Sequence, residues 1–545
     1  MLRGALALSI LGLPLWAQPS CQSIPAWSPC DFVFDLEGNE QAANAQLRVE
    51  FRSPRHKTYL MPAYRDGDRR LIIRFSPTEV GSWDYKLTSN VARLDGKLGQ
   101  FAATESDAPG FVHTANVHHF QTENSKPHLW MATGIDSFLA MPRAEFDAAV
   151  AERAAEKFTH LRVMLEPDAD WNEAADRVRA IHNRGMTADI GFARIPEDWK
   201  ERERYIGEAV ARLSAFNVTW AGFPGYERMP KGRELLKDTG ALLKKLDPYQ
   251  HPRTTMAEAT SASLLGDGWM NMIGYGTVDA NIGGVEHQFY QLPAVATGIL
   301  GTRDLWNATM NGQYPADGSG RYMTIWREFM AGNRYWELEP YFDLDGGRAV
   351  ALEGVEYIIY VEKPAGPIEV TLERHGYEVA WINPANGERI KQKDYRGERF
   401  TGEPPDASHD WILHISREGE KAGMGRSVKF ESRDVPVQEI TLAGDKPQFD
   451  IAGPEDNEVS MSNPVRVTLK VRRETRATRS LLVEWTAEVA ADGHGFRVIG
   501  TGRQATLKVP ASIVKNMPAV LSLHANILNA NGKAYMIDRI FRLVP

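Results

Sequence analysis

The stretch NVTWAGFPGYERMP, residues 217–230, decides how the chain is organised. It opens on a short run of apolar and β-branched side chains, which Pro224 and Gly225 bring to an end. A segment rich in leucine and lysine follows at residues 232–246, with apolar side chains at helical spacing. The pattern therefore predicts a strand, a loop and a helix, and the loop carries one carboxylate, Glu227.

The same alternation of strand and helix extends from residue 129 to about residue 335. Alternation of this kind favours parallel strands, and its length of about 200 residues suits one (β/α)8 barrel. We predict strands at residues 129–134, 159–165, 187–192, 217–223, 251–256, 272–277 and 293–300, with an eighth near 335–338. The helices between them are predicted at residues 143–157, 172–184, 199–216 and 232–246. Catalytic groups of such barrels follow the carboxyl ends of the strands.

Short alternating strands separated by turn residues flank this central region on both sides. They predict an immunoglobulin-like β-sandwich at residues 24–106, a small β-domain at 346–416 and a second immunoglobulin-like sandwich at 445–545. The barrel is assigned to residues 110–345, and the charged segment 417–444 to a linker. The predicted fold class is therefore multidomain α/β plus all-β, with a TIM barrel between β-sandwich domains.

The amino-terminal residues are typical of a secretory signal peptide. Arg3 precedes an apolar run that ends near residue 16, and the predicted signal peptide covers residues 1–17. No later apolar run reaches the roughly 20 residues that a membrane-spanning helix needs. Cys21 and Cys30 are the only cysteines, and in an exported chain they form either a small disulfide loop or two unpaired thiols. We therefore expect an exported protein without a membrane span.

The charge and the aromatic content of the chain indicate which class of molecule it binds. The net charge of −8 and the absence of a lysine- or arginine-rich run argue against nucleic acid. The 14 tryptophans and 17 tyrosines suit stacking on sugars, although a core also needs such side chains. His113, His118 and His119 lack the spacing of metal ligands, so a structural role is expected and no metal or cofactor is predicted.

Five further motifs are PAYRDG at residues 62–67, RFSP at 74–77, GSWDY at 81–85, PGFVHTANVHHF at 109–120 and WINPANGE at 381–388. They resemble motifs of apiosidase-like glycoside hydrolases and of the β-domain that often precedes their barrels in exported bacterial proteins. The resemblance implies a carbohydrate partner and two catalytic glutamates, at the ends of strands four and seven. At those positions this sequence has Gly225 and Gly298, and no Asp or Glu occurs between Leu292 and Arg303.

Hydrolysis of a glycosidic bond needs two carboxylates on either side of that bond, so relocated acids are expected. Glu227 is the candidate proton donor, and Glu258 or Glu286 is its candidate partner. Candidate substrate-binding residues offer a charged, amide, imidazole or aromatic group near a strand end: Asp136, Arg162, Glu166, Trp220, Trp269, His287, Gln288, Tyr335 and Trp336. The alternative role of each candidate residue is structural: a solvated salt bridge, a helix cap or packing in the core.

Three functions fit this pattern. The first is an exported glycoside hydrolase acting on polysaccharide side chains, and the second is a homologue that binds glycan without catalysis. The third is a structural or adhesive surface protein built from β-sandwiches. A buried Arg162 is expected to have a carboxylate partner in each case, because an unpaired buried charge is costly.

Overall fold

The computed structural model describes residues 21–419 and 449–545, apart from residues 281–282, 473, 475–477, 479–480, 491–493, 515–516, 518 and 530–533. The predicted signal peptide and all but the first residues of the predicted linker lie outside this described part. The chain divides into two compact units, Met1–Gly110 with Gly207–Phe216, and Phe111–Ile206 with Asn217–Pro545.

The first unit contains two β-sheets that face each other. Its strands are β1 (Ser23–Pro25), β2 (Cys30–Asp35), β3 (Leu47–Arg52), β4 (Thr58–Pro62), β5 (Tyr64–Arg65), β6 (Arg70–Phe75), β7 (Gly81–Ser89) and β8 (Leu98–Thr104). One sheet has the order β1-β8-β7-β3-β4 and the other β2-β6-β5. The ring of Phe32 in the second sheet lies 5.3 Å from Phe51 and 5.6 Å from Phe101 in the first. The apolar side chains that alternate along these strands therefore meet between the two sheets and form one aromatic core.

A disulfide joins Cys21 to Cys30 in the same unit, with 5.9 Å between their Cα atoms. Of the two alternatives left open by the sequence, the small disulfide loop is therefore the one found, and not two unpaired thiols. The bond fastens the chain just before β1 to the first residue of β2.

The second unit begins with a hairpin and then alternates parallel strands with helices. The hairpin consists of β9 (Val112–Ala115) and β10 (His119–Thr122). The strands that follow are β11 (Ala132–Gly134), β12 (His160–Leu165), β13 (Thr187–Phe192), β14 (Val218–Trp220), β15 (Ile273–Tyr275), β16 (Ala294–Ala296) and β17 (Gln313–Pro315). The helices are α1 (Arg143–Ala155), α2 (Trp171–Asn183), α3 (Trp199–Leu213, whose residues from Gly207 onwards belong to the first unit), α4 (Gly232–Leu246), α5 (Gly283–Phe289), α6 (Thr302–Met310) and α7 (Arg321–Ala331).

The strands form two parallel sheets, ordered β11-β12-β13-β14 and β15-β16-β17. A parallel bridge between Trp220 and Arg253 extends the first sheet beyond β14, at the place of the predicted fifth strand. The segment predicted as an eighth strand near 335–338 is instead a 3-10 turn, Tyr335–Glu337, and that prediction is wrong. The last parallel strand is β17, which escapes pattern analysis because it has three residues and ends on a proline.

The remaining strands belong to three further sheets. One contains β18 (Glu339–Tyr341), β19 (Leu344–Asp345), β20 (Arg348–Leu352), β21 (Glu356–Val361), β22 (Ile368–Ile382), β23 (Arg389–Lys391), β24 (Tyr395–Gly402) and β25 (Trp411–Arg417). The other two contain β26 (Phe449–Ala452), β27 (Glu458–Ser460), β28 (Val465–Val471), β29 (Leu481–Ala490), β30 (His494–Arg497), β31 (Ile499–Thr501), β32 (Gln504–Leu507), β33 (Ala519–Asn529) and β34 (Ala534–Val544). One apolar core, with Trp485 near its middle, unites these last two sheets. Among the described residues, no helix has the length and apolarity needed to cross a membrane.

Candidate active site

Glu227 reaches the protein interior through a reversal of the backbone after β14. Gly225 has a φ of 69°, a left-handed conformation that favours glycine, and the turn Tyr226–Arg228 follows it. The Oε1 atom of Glu227 accepts a hydrogen bond of 2.8 Å from the backbone N–H of Glu258. Its Oε2 atom is buried without a hydrogen bond of normal geometry. The glycine at the expected acid position therefore makes the turn that directs Glu227 inward.

This environment changes the protonation of Glu227. Burial raises its pKa to about 7, because the ionised form loses solvation. The backbone N–H groups of Glu258 and of Glu227 itself act in the opposite direction, while the charge of Glu258 adds to the rise. Glu227 therefore holds a proton at a higher pH than an ordinary glutamate does, which suits a general acid.

Glu258, the predicted partner, lies beside Glu227 and forms an ion pair with Arg228. Both glutamates line one cavity, so the structure brings together two of the three predicted catalytic residues. The third, Glu286, is not part of this cavity. It lies on α5 next to His287, which contacts a different group of residues.

The far wall of the cavity comes from the carboxyl-terminal sheets, through Thr486 and Glu488 of β29 and His524 of β33. Burial disfavours a charge on His524, but Asp538 at 2.6 Å and Glu488 at 3.6 Å outweigh it and raise its pKa to about 9. The hydroxyl oxygen of Thr486 is buried without a hydrogen-bond partner among the described residues. The cavity thus presents a proton donor, a cation and a free hydroxyl group, which suits a ligand with many hydroxyl groups.

A second group of polar residues lies in one layer across the first parallel sheet. Gly134, Arg162, Asp189 and Thr219 are neighbours in register on β11 to β14. Arg162 donates from Nε and Nη2 to Asp189 Oδ2 at 2.9 and 2.7 Å, and Thr219 donates to Asp189 Oδ1 at 2.7 Å. The predicted carboxylate partner of Arg162 is therefore confirmed, and it is Asp189.

Two aspartates stand above this layer, at the carboxyl ends of β11 and β17. Asp136 was predicted from the sequence, whereas Asp317 was missed because β17 was not recognised. Asp317 Oδ1 lies 4.0 Å from the position that a Cβ would take at Gly134. Although Asp317 keeps contact with solvent, burial first and then the charges of Asp136 and Asp189 raise its pKa, against the opposing effect of Arg162. Interpreting QYPAD at residues 313–317 as a strand that ends in a loop would have identified Asp317.

Several predicted binding residues lie at the amino-terminal ends of the parallel strands instead. His287 donates from Nε2 to the Glu339 carboxylate at 2.6 Å, and the carbonyl of Trp336 accepts a hydrogen bond from Asn116 in the β9–β10 turn. Gln288 is exposed on α5, and Tyr335 packs against Trp336 with 5.1 Å between their rings. These four residues do not coincide with the carboxyl-end site, because two of them lie on α5 and two on the 3-10 turn at 335–337 that replaces the predicted eighth strand.

The two tryptophans proposed as stacking platforms are core residues. Trp220 is fully buried and donates from Nε1 to Asp247 at 3.0 Å, and Trp269 is 1% exposed. A ring without an open face cannot stack on a sugar, so both predictions are wrong. Glu166 remains at the surface after β12, where it accepts a hydrogen bond of 2.9 Å from Arg194.

The end of β16 offers no carboxylate. A Cβ at Gly298 would lie 2.5 Å from the carbonyl oxygen of Gly276, so a side chain there would require the backbone to move. Close packing against the Gly276 backbone therefore explains why a glycine occupies position 298.

Comparison with known proteins bears on the fold. Residues 23–90 match a family described as a domain of unknown function, DUF5060. A structure from Bacteroides vulgatus described as a "putative glycoside hydrolase" aligns over 73% of this chain and 100% of its own, with a TM-score of 0.62 and 14% identity. A glycoside hydrolase family 5 structure from the same organism aligns over 58% of this chain and 96% of its own, with a TM-score of 0.47 and 12% identity. No curated protein matches the chain. At 14% identity the first of these likenesses supports a glycoside-hydrolase-like multidomain fold and nothing finer.

Proposed function

We propose that this protein is an exported, apiosidase-like glycoside hydrolase in which Glu227 donates the proton to the leaving group. The observation that carries the proposal is the buried Glu227 carboxyl, whose pKa is about 7 and which lies in a cavity after a parallel strand. On this proposal the parallel strands close into a (β/α)8 barrel, whose active site lies at the carboxyl ends of the strands. The substrate is a side chain of a polysaccharide.

In the proposed reaction the glycosidic C–O bond breaks while the proton on Glu227 moves to the leaving oxygen. If the Glu258 carboxylate attacks the sugar carbon as the C–O bond breaks, it forms a glycosyl ester; Glu227 then takes a proton from water, and the water oxygen displaces the Glu258 carboxylate from the sugar carbon. If Glu258 acts as a base instead, it takes a proton from the water that attacks the sugar carbon as the C–O bond breaks, and exchange with solvent returns Glu258 to its carboxylate form and a proton to Glu227. Arg228 forms an ion pair with Glu258 and holds that carboxylate in place.

Asp136, Asp317 and Arg162 would bind sugar hydroxyl groups or a sugar carboxylate next to the reacting bond. Arg162 is held by Asp189, so its guanidinium keeps one orientation. The disulfide between Cys21 and Cys30 supports export, because such bonds persist in oxidising compartments.

A glycan-binding protein without catalysis is the second candidate. The observation that favours it is the end of β16, where Gly298 has no room for a side chain and no carboxylate follows before Asp304. Such a protein would use the same polar residues for binding and would leave the bond intact.

A screen of aryl glycosides and plant polysaccharides tests the proposal, using the mature chain and its Glu227→Gln variant. We expect turnover by the wild type and a loss of about 10²- to 10⁴-fold in the variant, as for removal of a general acid. Glu203→Gln, at an exposed position on α3, is the matched control and should keep full activity. Binding without turnover would favour the second candidate, and turnover unaffected by Glu227→Gln would refute the role of Glu227.

A further inference from the structure

A cluster of imidazole and carboxylate groups lies at the amino-terminal ends of the parallel strands, away from the candidate active site. It consists of His118 from the β9–β10 hairpin, His287 from α5 and Glu339 from β18. One possible ligand atom of each lies within 4.8 Å of the others, and among the described residues no other group of this kind occurs. Sequence spacing does not reveal this cluster, because its members are separated by up to 221 residues.

The hydrogen bonds of His118 determine which of its nitrogens faces the cluster. Its Nε2 lies 2.9 Å from the backbone carbonyl of Tyr290, and a carbonyl only accepts, so Nε2 carries a hydrogen. In the neutral ring Nδ1 then holds a lone pair, and it lies 3.1 Å from both oxygens of Glu339. A lone pair therefore faces an acceptor, which is unfavourable unless a positive charge lies between them. An N–H donated to a carbonyl is also the usual outer-shell contact of a histidine that binds metal.

His287 completes the cluster, and its ring centroid lies 3.9 Å from that of His118. Its Nε2 lies 2.6 Å from Glu339 Oε2, and its ring is buried. Gly312 leaves room for that ring, since a Cβ there would lie 2.5 Å from it. The neighbouring His119 has its Nε2 3.7 Å from Glu339 Oε1, without a hydrogen bond to any described residue, while its Nδ1 bonds the Tyr314 hydroxyl at 2.6 Å.

These distances fit a small divalent ion after a modest adjustment. Zinc binds imidazole nitrogen and carboxylate oxygen at about 2.0–2.2 Å, so neighbouring ligand atoms in a tetrahedral site lie about 3.3 Å apart. The 2.6 and 3.1 Å contacts need to widen slightly, and the imidazole nitrogens supply the donor type that zinc prefers.

We propose that His118, His287 and Glu339 bind a divalent transition-metal ion of the zinc type, with water or His119 as the fourth ligand. The ion fastens the β9–β10 hairpin to α5 and to the segment after α7. Its place at the amino-terminal ends of the strands gives it a structural role, separate from catalysis at the opposite ends.

Binding of Co²⁺ and Zn²⁺ to the untagged mature chain tests this proposal. After dialysis against a chelator, we expect Co²⁺ to produce the visible absorption of a tetrahedral complex with one equivalent bound, and Zn²⁺ to displace it. Either ion should raise the thermal unfolding temperature. Glu339→Gln and His287→Ala should weaken binding by more than the 10- to 100-fold that outer-shell contacts contribute.

His113→Asn is the matched control, because His113 belongs to the same hairpin but bonds Gln121 rather than the cluster. It should bind Co²⁺ as the wild type does. Circular dichroism identifies any variant that fails to fold, and the wild-type titration decides without the variants. Absence of visible absorption and of a Zn²⁺-dependent thermal shift would overturn the proposal, and would indicate that a protonated His118 alone neutralises Glu339. Equal binding by the Glu339→Gln, His287→Ala and His113→Asn variants would also overturn it.

Discussion

Replacing Glu227 by glutamine should remove a large part of the pH dependence of stability. The folded-state pKa of Glu227 is about 7 and its ordinary value is 4.5. The folded state therefore holds this proton more tightly than the unfolded state. The stability that results is complete below about pH 4.5 and is lost as the pH rises towards about 7.

The size of this effect follows from the difference between the two pKa values. The difference of about 2.5 pKa units, from 4.5 to about 7, corresponds to about 3–4 kcal/mol at about 1.4 kcal/mol for each unit. Glutamine stays neutral and can still accept the hydrogen bond from the Glu258 N–H. Relative to the wild type, Glu227→Gln should therefore be almost neutral at pH 4.5 and should gain up to about 3–4 kcal/mol at pH 8.

Urea unfolding between pH 4.5 and 8, followed by tryptophan fluorescence, measures this difference. Glu203→Gln serves as the control, since its exposed side chain should give no pH-dependent change. A difference between Glu227→Gln and the wild type that stays constant over this pH range would refute the argument, because it would mean that Glu227 titrates alike in both states.

Four other substitutions probe the packing and charges of the fold. Arg162→Met leaves Asp189 buried without its ion-pair partner and should lower the free energy of unfolding by about 3–5 kcal/mol; a loss below about 1 kcal/mol in thermal unfolding would contradict this. Gly240→Ala, whose Cβ would lie 2.1 Å from a buried tryptophan ring, should destabilise by about 1–3 kcal/mol, whereas Gly207→Ala meets nothing within 4 Å and should stabilise its helix by up to about 1 kcal/mol. The reverse order of their melting temperatures would contradict this reasoning. His524 has a raised pKa of about 9, so its contribution is complete below pH 6.5 and is lost as the pH rises through about 9. His524→Gln should therefore cost up to about 3 kcal/mol at pH 6 and little at pH 10, and an equal cost at both values would contradict the assignment.

Elements with a long and regular pattern could be predicted from the sequence. The predicted helix at residues 232–246 matches α4, and the predicted strand at 187–192 matches β13, because both carry a clear apolar period or run. The three-residue strand β17 and the single bridge at Arg253 are too short for a period to identify. Such short elements form by packing against residues that are distant in the sequence, so no local sequence pattern identifies them.

Only part of the candidate site could be predicted from the sequence, namely the residues that follow recognisable strands. Glu227 and Glu258 follow neighbouring strand ends in the sequence, so their proximity could be expected. Asp317 depends on β17, and the contribution of His524 to the cavity depends on how the last sheets pack. Neither is encoded in local spacing.

The role of Glu227 as proton donor is tested most directly by its dependence on the leaving group. The measurement is kcat/KM of the wild type and of Glu227→Gln for two aryl glycosides of one sugar, one with a poor leaving group and one with a highly acidic phenol. We predict that the variant loses about 10²- to 10⁴-fold with the poor leaving group and little with the acidic phenol, which departs without help from an acid. Equal losses for both substrates, or no loss for either, would contradict the proposed role of Glu227.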